Sequence, residues 1–207
     1  MLSLLAEFEE FFGPLRLFRY LSLRSAFAGM TAMGIGFIIG PWLINKLTQL
    51  RARQSMRTKD EVRELADLHA EKAQTPTMGG LMIFGAVVLS ALLWARPNIY
   101  VITALFIYIG LTGLGFLDDY LKLKNQSSDG LSGKSKLFWQ FSFATIAVLI
   151  LYFSAETSQE TSLILPFFKE FSLELGIWFI FLSLFVIVGT SNAVNLTDGL
   201  DGLAIMP

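Results

Sequence analysis

Five long apolar stretches limit what this chain can fold into. Each of them is nearly free of charged residues, and they cover Ala26–Asn45, Thr77–Ala95, Pro97–Leu117, Leu137–Ala155 and Leu175–Thr197. A helix needs roughly 20 apolar residues to cross the hydrocarbon layer of a bilayer. The stretches lack the alternation of polar and apolar residues that is typical of a membrane β-barrel. The sequence therefore predicts an all-α polytopic membrane protein with about five transmembrane helices.

The composition agrees with this fold class and excludes several kinds of site. Only 16% of the 207 residues are charged, whereas soluble domains contain about 25%. The chain has no cysteine and a single histidine, His69, which excludes disulfides, thiolate chemistry and a histidine-rich metal site within it. A net charge of −1 gives no global basic field, so we do not expect nucleic acid as a partner. Since no internal repeat is visible, residues 1–207 are interpreted as a single membrane domain.

Basic residues predict how the chain is oriented in the membrane. They are frequent after the first and third stretches (Arg51, Arg53, Arg57, Lys59, Arg63, Lys72; Lys122, Lys124, Lys134, Lys136). The loops after the second and fourth stretches contain only Arg96 and Lys169. The positive-inside rule then places the two basic loops in the cytoplasm and the N-terminus outside.

Two segments outside the stretches are interpreted as interfacial elements. Residues 1–24 have no basic start and are broken by Gly13-Pro14, which favours a pair of helices lying at the membrane surface. Their Arg16, Arg19 and Arg24 argue mildly against an outer N-terminus. The segment Leu163–Phe168 is interpreted as a second element of this kind, on the outer side.

The first candidate for chemistry is the acidic pair Asp118-Asp119, at the end of the third stretch. Paired acids beside an apolar run are costly unless a cation or a shared proton compensates them. A divalent metal is one such cation. The alternative is that the two acids simply end a helix at the water interface, although acids at a helix C-terminus oppose its dipole.

The second candidate is the polar segment that closes the fifth stretch. It contains Asn195, Asp198 and Asp201, and each of the two aspartates is followed by glycine. Such oxygen ligands suit magnesium, which also keeps water and substrate phosphates in its shell. The alternative is an ordinary glycine-rich loop after a helix.

Two further candidates carry cationic or capping residues. Lys134 and Lys136, next to Gly133, can contact phosphate, or can simply anchor the inner face. Thr75 and Pro76 fit the start of a helix, whose free N–H groups attract anions. All four candidates lie on the predicted cytoplasmic side. Together they predict a metal-dependent enzyme that acts on a phosphorylated lipid or nucleotide.

Four motifs then carry a resemblance to a known family. They are Pro76–Met82 (Pro-Thr-Met-Gly-Gly-Leu-Met), Gly115–Tyr120 (Gly-Phe-Leu-Asp-Asp-Tyr), Gly133–Gln140 and Asn192–Ala204. In wording and order they resemble the phospho-N-acetylmuramoyl-pentapeptide transferases, which belong to the polyprenyl-phosphate N-acetylhexosamine-1-phosphate transferase superfamily. The second and fourth motifs contain the first two candidates, so the resemblance and the residue chemistry point the same way.

The resemblance implies specific substrates and a cofactor. Such enzymes transfer phospho-N-acetylmuramoyl-pentapeptide from UDP to undecaprenyl phosphate, require Mg²⁺, and lie in the bacterial inner membrane with a cytoplasmic active site. It implies Asp118 and Asp119 as catalytic acids near the metal, with Asn195 as a further metal or pyrophosphate contact. Substrate contacts are implied for Lys72, Thr75, Lys122, Lys134, Asp198 and Asp201. A homodimer is also implied.

The resemblance covers only about half of such an enzyme, which has about ten membrane helices. The chain is therefore expected to be the N-terminal portion of a longer fold, and to insert in a membrane without completing the transfer by itself. Alternatives are a related transferase of N-acetylglucosamine-1-phosphate, a transporter fragment, or a non-catalytic membrane protein that binds a partner.

Overall fold

In a computed structural model, the part of the chain that the structure describes contains five long helices and several short elements. The structure describes residues 2–49, 79–125, 130–165, 167 and 172–197. The helices are α1 (Leu21–Gln49), α2 (Gly80–Trp94), α3 (Ile99–Asn125), α4 (Gly133–Ser154) and α5 (Trp178–Thr197). All except α2, which has 15 residues, are long and apolar enough to cross a membrane. The predicted all-α polytopic class is confirmed.

Short elements occupy the remaining described residues. Two 3₁₀ helices, Leu2–Phe8 and Gly13–Arg19, precede α1, and a third spans Ser158–Thr161. An antiparallel pair follows, β1 (Ser162–Ile164) and β2 (Ser172–Glu174), with Leu163 opposite Leu173. The interpretation of Leu163–Phe168 as a surface helix is therefore wrong at its start, because the backbone there pairs with a second strand. The interfacial position of residues 1–24 stays a prediction.

The chain divides into two compact units. The first contains Met1–Val101 with Thr112–Ser132, and the second contains Ile102–Leu111 with Gly133–Pro207. The single membrane domain inferred from the sequence stays a prediction, since two compact helical units can belong to one membrane domain.

Close packing of α1 on α2 holds the first unit together. A Cβ atom added at Gly40 would lie less than 3.0 Å from Met82 Sδ, so the helices approach closely there. Ser90 Oγ donates a hydrogen bond to the Ala28 carbonyl at 2.6 Å. Small residues allow such approaches between membrane helices, and hydroxyl groups add hydrogen bonds between them.

Trp94 ties the segment before α1 to the end of α2. Its ring stacks on Phe18 and on Phe27, with centroid distances of 5.9 and 5.2 Å. Its Nε1 donates to Thr31 Oγ1 at 2.9 Å, and Ser3 Oγ donates to the Ala95 carbonyl at 3.1 Å. The N-terminal helices are thus fastened to the α2 end that leads into α3.

The second unit has its core between α4 and α5. Ala144, Ala147 and Val148 on α4 and Val188 on α5 are buried. Large apolar side chains face outward instead, such as Phe153 and Phe185. This is the distribution expected of helices whose outer surface contacts lipid tails.

Candidate active site

The acidic pair lies within α3 and not at its end. The apolar stretch stops at Leu117, but the helix continues to Asn125. With a rise of 1.5 Å per residue, Asp118 lies about 28 Å along the axis from Ile99, close to the roughly 30 Å thickness of a bilayer's hydrocarbon layer. In a bilayer whose hydrocarbon layer begins at Ile99, the last part of α3 would project past that layer. Lys122 and Lys124 lie in its final turn, where cations suit the helix dipole.

Asp118 is the more buried of the two acids. Its Oδ2 lies 2.6 Å from Lys122 Nζ, one helical turn further along α3. Its Oδ1 accepts a hydrogen bond from the Leu131 backbone N–H at 2.7 Å. Only 13% of its side chain is exposed. Both carboxylate oxygens of Asp118 thus have a fixed partner.

Asp119 is the more accessible of the two acids. Its Oδ1 lies 3.7 Å from the same Lys122 Nζ, and 42% of its side chain is exposed. One lysine therefore balances two carboxylates of unequal accessibility. This asymmetry gives Asp119 the readier access to a ligand that arrives from solvent.

Gly130 permits the chain to return over Asp118. A Cβ atom at this position would lie less than 3.0 Å from Asp118 Oδ1 and from Lys122 Cε. Only glycine lets the backbone come this near without displacing the carboxylate. The sequence reasoning missed Gly130, because the contact depends on how the chain returns after α3.

Lys134 lies in the first turn of α4. The helix begins at Gly133, four residues before the apolar stretch, and the Lys134 side chain is exposed. A cation at a helix N-terminus opposes the dipole, so helix stability does not account for this lysine. A phosphate group would be attracted both by the lysine and by the N–H groups of that turn.

A buried amide network joins α4 to α5. Gln140, which is 2% exposed, accepts a hydrogen bond from Asn192 Nδ2 at 2.8 Å and donates to Ser191 Oγ at 3.3 Å. Asn192 Nδ2 also donates to the Val188 carbonyl at 2.8 Å. Sequence reasoning did not assign a role to Gln140, although a glutamine inside an apolar stretch is a usable signal.

Asn195 lies in the last turn of α5, exposed, three residues after Asn192. Asp198 and Asp201 lie outside the described residues, and so do Lys72 and Thr75. The structure therefore brings together Asp118, Asp119 and Lys122, while the other predicted contacts stay predictions.

The oxygen donors of this site suit magnesium in kind. The carboxylates of Asp118 and Asp119 are hard oxygen ligands, and the exposure of Asp119 leaves room for the waters that Mg²⁺ retains. Within the described ranges, no group of three or more acidic or histidine side chains is arranged so that it could hold a metal ion. The magnesium site stays a prediction.

Two family models match this sequence. Glycosyl transferase family 4 matches residues 100–207, a range that contains the acidic pair, Lys134 and the polar end of α5. The phospho-N-acetylmuramoyl-pentapeptide-transferase signature 1 matches residues 72–84, a range that includes Lys72 and Thr75. The two matches do not overlap, so they support the same interpretation from separate parts of the chain.

Proposed function

This chain belongs to glycosyl transferase family 4, as a member similar to the phospho-N-acetylmuramoyl-pentapeptide transferases, and we propose that the enzyme encoded by its gene transfers phospho-N-acetylmuramoyl-pentapeptide from UDP to undecaprenyl phosphate. The observation that carries this proposal is the Asp118-Asp119-Lys122 cluster at the end of the apolar part of α3. A lipid-linked phosphate and a water-soluble nucleotide sugar can both reach a site at that depth.

The proposed reaction exchanges one phosphoanhydride bond for another. An oxygen of undecaprenyl phosphate attacks the phosphorus that bears the sugar. The bond from that phosphorus to the oxygen of UMP breaks, so that UMP leaves and a lipid-linked pyrophosphate remains. The protein must therefore gather negative charge from two substrates and orient them in line.

Lys122 and Lys134 supply the cationic contacts in this proposal. Lys122 Nζ already lies between two carboxylates, at 2.6 and 3.7 Å. A phosphate that binds beside Asp119 would share this ammonium group with them. Preorganised charges of this kind stabilise the charge that develops in phosphoryl transfer. Thr75, Lys72, Asp198 and Asp201 are proposed as further substrate contacts by the family resemblance.

The two acids are proposed to have unequal roles. Asp119, as the more exposed carboxylate, would accept a proton from the lipid phosphate when that phosphate is protonated, and would contact the metal. Asp118, which contacts Lys122 and the Leu131 N–H, would hold the side chains of the cluster in position. Mg²⁺, held by these carboxylates with Asn195 as a further candidate, would supply charge neutralisation for the pyrophosphate.

The enzyme is proposed to lie in the bacterial inner membrane with its N-terminus outside and Asp118 on the cytoplasmic side. The basic loops support this orientation. The chain lacks cysteine, so single cysteines at Ser128 and Ser158 can be labelled with a membrane-impermeant maleimide. We expect labelling of Ser158→Cys in intact cells and of Ser128→Cys only after the membrane is opened. Labelling of both in intact cells would contradict the orientation.

The activity test uses protein expressed from the complete genomic gene. The purified protein is incubated with UDP-N-acetylmuramoyl-pentapeptide, undecaprenyl phosphate and Mg²⁺, and UMP is measured. We expect UMP release that requires all three additions. UDP-N-acetylglucosamine in place of the peptide-bearing substrate is the comparison. A preference for UDP-N-acetylglucosamine would assign the chain to the other transferase branch, and no UMP from either donor would contradict the proposal.

A further inference from the structure

A cavity lined by both acidic and basic residues lies at the Ile99 end of α3, the end opposite the acidic pair. It has a volume of about 270 Å³ and is lined by six charged residues, which are Glu7, Glu9, Glu10, Arg19, Arg24 and Arg96. They come from the N-terminal 3₁₀ helices and the turn between them, the start of α1 and the loop between α2 and α3. We call it the arginine–glutamate cavity. The proposed transfer reaction uses none of these residues.

Two residues that line the cavity each carry a buried polar atom with no hydrogen-bond partner in the described residues. Glu9 Oε2 and Arg24 Nε are both inaccessible to solvent, and neither makes a hydrogen bond to any part of the chain that the structure describes. A buried polar atom without a hydrogen bond is costly. The other oxygen of Glu9 is 3.4 Å from Arg19, so the glutamate is only half satisfied by the protein. Such a pair favours a ligand that brings a donor and an acceptor together.

The surroundings of the cavity are apolar and suited to a membrane surface. Phe11 and Phe12, on the segment between the two 3₁₀ helices, are 88% and 60% exposed. The stacked rings of Phe18, Trp94 and Phe27 lie at the same end of the unit. Aromatic side chains of this kind concentrate at the headgroup level of a bilayer. A ligand of the cavity can therefore come from the lipid itself.

We propose that the arginine–glutamate cavity binds the headgroup of a zwitterionic phospholipid that carries a primary ammonium, such as phosphatidylethanolamine. Arg24 and Arg96 would contact the phosphate, and Glu9 would accept a hydrogen bond from the ammonium. Three glutamates and three arginines leave the cavity without net charge, which suits a headgroup that is itself neutral. A choline headgroup has the same charges but no N–H, so it cannot satisfy Glu9 Oε2.

The test is native mass spectrometry of the purified protein in detergent. An equimolar mixture of phosphatidylethanolamine, phosphatidylcholine and phosphatidylglycerol with identical acyl chains is added, and the retained adducts are compared. We expect phosphatidylethanolamine to be retained about tenfold more than phosphatidylcholine, the ratio expected for one charge-assisted hydrogen bond. Glu9→Gln should remove this preference, and Arg24→Gln should lower retention of all three lipids.

Matched variants separate the site from a general effect of charge. Arg16→Gln removes a guanidinium from the same 3₁₀ helix that carries Arg19, but Arg16 does not line the cavity. It should leave the preference unchanged. Arg96→Gln, on a different element, should act like Arg24→Gln, so misfolding of one variant does not decide the result. Far-ultraviolet circular dichroism checks that each variant keeps its helices.

Three results would overturn the proposal. Equal retention of all three lipids would exclude recognition of the ammonium. Preference for phosphatidylglycerol would make the cavity an anion site only. Displacement of the lipid by soluble phosphoethanolamine at equal concentration would make a soluble zwitterion, and not a membrane lipid, the ligand. None of these outcomes depends on UMP release, so the transfer proposal stands or fails separately.

Discussion

Two polar clusters on apolar helices show opposite ways of placing polar groups in a membrane protein. The Asp118-Asp119-Lys122 cluster is charged, and its side chains are 13%, 42% and 37% exposed. The Gln140-Ser191-Asn192 network is neutral, and Gln140 is 2% exposed. Each cluster has a hydrogen bond to a residue outside its own helix. Asp118 accepts one from the Leu131 N–H, and Gln140 accepts one from Asn192 on α5.

The difference follows from the cost of burial. A charge removed from water costs far more than an amide, so charges stay where solvent reaches them or where they perform a reaction. Neutral amides can be buried completely once they are hydrogen-bonded, and they then join helices. From this comparison we expect the charged cluster to serve the proposed reaction and the neutral network to serve helix association.

The largest effect is expected from removing either charge of the acidic pair. Asp118→Asn and Asp119→Asn keep the side-chain volume, so folding should survive. Turnover should fall by at least about a hundredfold in each, a loss typical of a catalytic acid–base or electrostatic group. UMP release under saturating substrate measures it.

Glu156→Gln is the matched control for these two variants. It also removes one carboxylate, from an exposed position just after α4, and turnover should not change. If Asp118→Asn or Asp119→Asn turned over normally, that residue would not belong to the mechanism. If only Asp119→Asn were impaired, the comparison would sharpen, because the more exposed carboxylate alone would then serve the reaction.

A smaller effect is expected from Gly130→Ala. The new methyl group would clash with Asp118 Oδ1 and move the chain away, which breaks the hydrogen bond from Leu131 N–H. We expect turnover to fall about tenfold, the effect of losing one hydrogen bond to a charged group, with little change in the unfolding midpoint.

Gly115→Ala is the control for the glycine variant. It adds the same methyl group one turn before Asp118 on α3, and no heavy atom in the described residues lies within 4 Å of the added Cβ. Its turnover should be near normal. Equal turnover in Gly130→Ala and the unmodified protein would show that the hydrogen bond from the Leu131 N–H to Asp118 is unimportant for the reaction.

The smallest effect on turnover is expected from Gln140→Leu. This variant keeps the bulk but removes both hydrogen bonds to α5. We expect a loss of about 0.6–2 kcal/mol in the free energy of unfolding in detergent, the range for polar contacts between membrane helices. Thermal unfolding measures this loss, and turnover per folded molecule should change less than in Gly130→Ala.

Ser142→Ala on the same helix is the control, because its hydroxyl donates only within α4, to the Phe138 carbonyl at 2.8 Å. It should be near neutral in stability. A Gln140→Leu protein as inactive as the aspartate variants would break the comparison, since the neutral network would then serve the reaction as well.

The sequence predicts the helices well and their ends poorly. Apolar length alone identified all five, because a bilayer demands long apolar runs. It did not show that α3 continues to Asn125 or that α4 begins at Gly133. Polar residues beyond an apolar run look like a loop, whereas an i,i+4 pair such as Asp118 and Lys122 supports further helix.

The sequence indicated which residues form the candidate site, but not the contacts that hold them in place. Adjacent acids beside an apolar run indicated Asp118 and Asp119, since burying such a pair costs free energy unless a cation or a shared proton compensates it. The backbone N–H of Leu131 and the gap at Gly130 depend on the path of the chain after α3. The pairing of Gln140 with Asn192 joins positions 52 apart in the chain, and no local pattern indicates such a distance.

Because α3 runs without a break, the number of residues between Ile99 and Asp118 determines where the two carboxylates lie around and along the helix. One residue inserted between Ile99 and Asp118 would turn the carboxylates by about 100° around the helix axis and shift them by about 1.5 Å. Asp118, Lys122 and Leu131 all follow the insertion, so the cluster would turn as a whole relative to the part of α3 that precedes it. Single insertions and deletions in α3 should therefore be far more damaging than substitutions at its lipid-facing positions, such as Ile102 and Ile109.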